Sequence, residues 1–124
     1  MAGYLNDRVL DFGLNEIDTN ANKLLICNAL PTTYAEANAT FAMGNKTGPT
    51  ISAPQDNGSN GRKVVISAIT DGALTATGTG SHWALVDTAN SRLLAAGPVA
   101  TPQSVANGGI FTTSSFDIYI PDAV

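Results

Sequence analysis

The sequence predicts a mainly β fold, an antiparallel β-sandwich or small barrel with one or two short N-terminal helices. Two observations carry this expectation. From residue 62 to residue 121, short alternating runs are broken at near-regular intervals by Gly, Asp-Gly and Asn-Gly, the pattern of short strands joined by tight turns. The chain has 124 residues, enough for one hydrophobic core and too few for two ordinary ones.

Leu5, Val9, Leu10, Leu14 and Ile17 recur at spacings of three and four, the apolar stripe of an amphipathic helix. Gly13 interrupts it, at a cost of about 1 kcal/mol relative to Ala. A poor free helix with an apolar stripe reads as a docking segment, so these five residues are the expected assembly contacts. Residues 1–20 then form an extension, and residues 21–124 a single β-rich domain. Residues 23–28 are a compact apolar run that suits a buried strand. After Pro31, Thr33 and Glu36 have the spacing at which two side chains cap a helix start, predicting a short helix to about residue 39.

Residues 44–61, with four Gly and two Pro, read as a loop crossed by an edge strand near residues 49–53. Strands follow at 63–69 and 73–78 around an Asp71-Gly72 hairpin turn. Further strands are expected at 81–87 and 91–96 around a turn at 88–90, then at 103–106 and 110–120 around Asn107-Gly108-Gly109. In the last run Phe116, Ile118 and Ile120 share one face while Asp117 and Tyr119 share the other.

Only 13% of residues are charged against 44% hydrophobic, whereas a typical soluble chain carries about 25% charged residues. Such a chain is expected to hide surface against neighbours, as a homo-oligomer or a docked subunit. The net charge is -4 and the six basic residues are scattered. Nucleic acid, which needs a basic patch, is not an expected partner. No run is long enough for a membrane span, and the first residues lack the basic start and apolar core of a secretory signal. The expected site of synthesis is the cytoplasm.

Chemistry-bearing residues are sparse. Cys27 is the single cysteine and lies in an apolar run, so it reads as a small buried hydrophobe. Gly78 and Gly80 precede a strand rather than the helix that a phosphate loop requires. The stretch from Gly44 to Gly48 lacks the earlier glycine of such a loop. The 56–61 segment holds one acid, too few for a calcium loop of the helix-loop-helix kind. His82 is the only histidine, and its neighbour Trp83 points to the opposite strand face. A metal cluster or a Ser-His-acid triad would rest on that one imidazole. The chain is therefore expected not to be an enzyme and to need no cofactor.

Across nearly the whole chain, the order Asp7-Arg8-Val9-Leu10-Asp11, Ile26-Cys27, Pro31-Thr32-Thr33-Tyr34-Ala35-Glu36-Ala37, Asn60-Gly61-Arg62-Lys63-Val64, Ser81-His82-Trp83-Ala84-Leu85-Val86-Asp87, Ser91-Arg92-Leu93-Leu94-Ala95 and Ser115-Phe116-Asp117-Ile118 resembles small structural proteins of tailed bacteriophages and prophages. The resemblance implies a virion component made in the host cytoplasm, most plausibly a decoration protein that cements the head lattice. Its expected partners are the major capsid protein or other virion proteins. A tail, neck or fibre-base protein is the alternative within that class. Outside it stands a carbohydrate-binding β-sandwich, which would need exposed aromatic rings.

Overall fold

The computed structural model describes residues 13–57 and 61–120, together with the backbone of residues 4–5. In chain order the first elements are β1 (Tyr4–Leu5), α1 (Leu14–Asn20), β2 (Lys23–Cys27), β3 (Ala42–Thr47), β4 (Gln55–Asp56) and β5 (Arg62–Ile66). They are followed by β6 (Ile69–Leu74), β7 (Gly78–Asp87), β8 (Arg92–Val105), β9 (Ile110–Thr113) and β10 (Phe116–Ile120). One sheet has seven strands in the order β1-β8-β7-β2-β3-β6-β9, and the other has three in the order β10-β5-β4. All strand pairs are antiparallel, as the sequence led us to expect of this mainly β chain.

The core joins both sheets and the helix. Leu24, Ile26, Leu85 and Leu94 of the large sheet pack with Val64, Ile66 and Ile118 of the small one, and Leu14 and Ile17 of α1 belong to the same cluster. The opposite face of the large sheet buries Leu25, Cys27, Ala84, Val86, Leu93 and Ala96 against Ala37, with Leu30, Tyr34 and Phe41 packed around them. β2 is thus covered on both faces, which is why it reads as an unbroken apolar run rather than as an alternation.

The segment that covers the second face is held by reciprocal capping. Thr33 Oγ1 accepts the Glu36 N–H at 3.1 Å, and Glu36 Oε1 accepts the Thr32 N–H at 2.9 Å. A wide turn over Glu36–Thr40 follows, closed by Phe41 N–H donating to the Glu36 carbonyl at 2.8 Å. The expected short helix is therefore a capped π-type turn.

Several expectations are corrected. Instead of one helical stripe from residue 5 to 17, the helix begins at Leu14, and Tyr4–Leu5 pairs with β8. Leu14 (5% exposed) and Ile17 (fully buried) are core residues of this domain, not side chains presented to a partner. Val9, Leu10 and the Leu5 side chain lie outside the described residues. Because α1 packs against β5, β7 and β10, it is an integral part of the sandwich rather than an extension.

Gly44 does not open a loop but sits within β3, where a Cβ would stand 2.6 Å from the Ala73 carbonyl oxygen of β6. Asp71-Gly72 is no hairpin turn either. It lies inside β6, and the chain changes sheets at residues 67–68, between β5 and β6. The expected 110–120 strand is likewise two strands in different sheets, parted at residues 114–115. Finally, β8 runs through Pro98 and Pro102 to Val105 and absorbs the strand expected at residues 103–106.

Candidate functional site

Residues singled out in the sequence for chemistry turn out to serve packing and turns. Cys27 is fully buried, its Sγ 3.7 Å from the Ala37 carbonyl, and burial pushes its thiol from 9.0 up to about 12. A thiol held that far from ionisation is a poor nucleophile. Gly78 and Gly80 are explained by close approach: a Cβ would fall 2.9 Å from Met43 Cε at the first and 2.8 Å from Ile26 Cγ2 at the second. Lys46, within the other Gly-rich stretch, pairs with Asp71 of the neighbouring strand at 2.9 Å. Among the described residues, no three His, Cys, Asp or Glu side chains come together as a metal site.

His82 is half-buried with Ser81 Oγ 2.7 Å from its Nδ1. Its register partners are Cys27 and Pro98. Trp83 is on the opposite face, packed against the sandwich core, as strand parity requires. The buried acid Asp87 is occupied by the turn after β7: its Oδ1 accepts the Ala89 N–H at 3.1 Å and its Oδ2 the Asn90 side-chain amide at 2.8 Å.

The feature that needs explanation is a groove of about 970 Å³ at one end of the sandwich. Trp83 and Gly80 of β7 line it, together with the distal half of β8 from Pro98 to Val105, β9, and the crossing through Ser114 and Ser115 to Phe116. Its aromatic wall is ordered: the Trp83 and Phe116 rings lie 4.8 Å apart at 47°, within the range of favourable tilted pairs. The indole also rests over Gly97, where a Cβ would come 3.2 Å from its ring.

The sequence builds this opening by a break in register. Between Gly80 and His82 the β7–β8 pairing shifts, since Gly80 opposes Gln103 while His82 opposes Pro98. The extra β8 residues bulge out of the ladder, as strands do where they bend. No residue lining the groove is charged. At its lip Ile110 is 68% exposed, and the only other large hydrophobic residue exposed among those described is Tyr119 at 49%. The groove thus offers apolar area and hydroxyl groups with no charged side chain among its lining residues, a surface suited to binding.

This surface is hidden in the sequence, where Ile110 and Phe116 fall in one apparent strand, whereas the structure places them in two different sheets. The signal the sequence offers is the unbroken uncharged stretch from Leu93 to Phe116, 24 residues long, which supplies most of the groove lining. Comparison with protein-family models, with curated proteins and with solved structures found no match.

Proposed function

We propose that this chain is a non-enzymatic structural subunit of a tailed-phage or prophage particle, most simply a decoration protein that stabilises the head lattice. The observation that carries the reading is the uncharged groove with Ile110 exposed at its lip. Large exposed apolar features on small proteins mark interaction sites, and here one lies in a chain whose charge content is half the usual share. The likeness of the sequence order to phage structural proteins supplies the setting.

The carbohydrate-binding alternative requires a platform of exposed rings. Among the described residues Tyr119 is the only exposed aromatic side chain, and one ring is a weak platform. Proteomic analysis of purified particles from the source strain tests the proposal. It is expected to find the chain as an abundant component in a fixed ratio to the major capsid protein, and its absence from intact particles would overturn the assignment.

A further inference from the structure

We propose that Asn107 is a site of covalent modification, a deamidation site whose reaction the fold holds in check. This chemistry does not depend on the virion reading. Asn is among the thermally labile side chains, and it reacts fastest when the next residue is Gly, which has no Cβ to keep its backbone nitrogen away from the Asn side-chain carbonyl. The chain carries three Asn-Gly pairs, Asn57-Gly58, Asn60-Gly61 and Asn107-Gly108. The third lies exposed in the turn between β8 and β9.

The reaction consumes only water. The Gly108 backbone nitrogen attacks Cγ of Asn107, closing a cyclic imide. The Cγ–Nδ2 bond breaks, and the leaving nitrogen takes up the Gly108 amide proton and departs as ammonia. Water then opens the imide at either carbonyl, leaving aspartate or isoaspartate at position 107 and one more negative charge on the chain.

In the fold the attacking nitrogen is engaged elsewhere. Gly108 N–H donates to the Leu74 carbonyl at 3.0 Å, and Leu74 N–H donates to the Gly109 carbonyl at 2.9 Å, so two backbone bonds clamp the turn to the end of β6. Asn107 N–H donates in turn to Thr77 Oγ1 at 3.0 Å. To react, the Asn107-Gly108 peptide must swing its nitrogen toward the Asn107 side chain, which breaks the bond to Leu74. Deamidation is thereby tied to local opening of the turn. The product matters at this position because Ala106 and Gly109, on either side of the pair, line the groove. From Leu93 to Phe116 the chain carries no charge, and modification sets a permanent carboxylate within that stretch.

Peptide mapping by mass spectrometry tests the proposal, with isoaspartate assigned residue by residue after the full chain is incubated in mildly alkaline buffer, folded or in guanidinium chloride. In the unfolded chain Asn107 should convert at a rate comparable to Asn57 and Asn60. In the folded chain Asn107 should convert at least about tenfold more slowly, the factor that about 1.4 kcal/mol of opening cost imposes. Thr77→Val removes the hydroxyl that accepts the Asn107 N–H, and circular dichroism checks that the variant stays folded. It should raise the folded-state rate at Asn107 and leave the unfolded-state rate unchanged.

Equal rates at Asn107 in the folded and unfolded chains overturn the proposal, as does an Asn107 that stays intact in denaturant while Asn57 and Asn60 convert. A folded Thr77→Val chain that converts no faster than wild type at Asn107 overturns it as well.

Discussion

Gly72→Ala probes the contact that fixes β9 to the sandwich. Gly72 pairs with Phe111 across β6 and β9. A methyl group at Gly72 would stand 2.6 Å from Cδ1 of the Phe111 ring and closer still to Cε1 and Cζ. Carbon atoms pack at about 3.5 to 4.0 Å, so the ring must retreat by about 1 Å or more. Phe111 is only 7% exposed and belongs to the core cluster, which leaves it little room. Overpacking of this kind costs about 1 to 3 kcal/mol. The directness of the clash places the expected loss near the upper end, about 2 to 3 kcal/mol. Urea denaturation should show a lower midpoint with an unchanged slope. Phe111→Leu should be milder in the Gly72→Ala background than alone, with a coupling of about 1 kcal/mol or more. A loss below about 0.5 kcal/mol, a typical surface effect, would refute the reasoning and mean that β9 is not held against Gly72.

Three further outcomes follow from burial. Ile17→Ala should destabilise the isolated chain by about 2 to 5 kcal/mol, as for other emptied core sites. Unchanged melting with lost assembly would instead restore residues 5–17 as a docking stripe. Trp83→Ala should cost about 2 kcal/mol, below the 3 to 5 typical of fully buried aromatics, because the indole is only partly buried where it lines the groove. A loss of 4 kcal/mol or more in denaturant melts would show a buried ring. Cys27 should resist alkylation in the native protein at neutral pH and react once it is unfolded. Because folding raises its pKa from 9.0 to about 12, the Cys27 contribution is intact below pH 9 and is lost as pH rises through that window. Cys27→Ala should flatten that part of the stability profile, and an unchanged alkaline slope would contradict the assignment.

The β character, the buried strand at residues 23–27 and the capping pair Thr33 and Glu36 were legible because each depends on local chemistry: apolar content, a hydroxyl and a carboxylate at fixed spacing. The topology was less legible. Gly44 and Gly72 look like turn glycines, yet they accommodate a carbonyl and an aromatic ring from strands distant in sequence. Local patterning cannot tell a turn from a close approach, since glycine serves both. The changes of sheet fall at Ser67-Ala68 and Ser114-Ser115, which carry no glycine or proline to mark them, so the sequence presents each as part of a continuous strand. The groove was hidden further, because it depends on a register shift between β7 and β8 that no single segment encodes. The apolar stripe was partly visible at Leu14 and Ile17, but its burial within this chain follows from α1 packing against both sheets.

The proposed structural role turns on whether the groove lined by Trp83 and Phe116 is covered inside a particle. Electron cryo-microscopy of intact particles, at a resolution that traces strands, tests it most directly. Many copies of the sandwich are expected in regular array, with the groove lined by Trp83 and Phe116 covered by a neighbouring protein. Particles that lack the sandwich, or that carry it with Ile110 and the groove open to solvent, would contradict it.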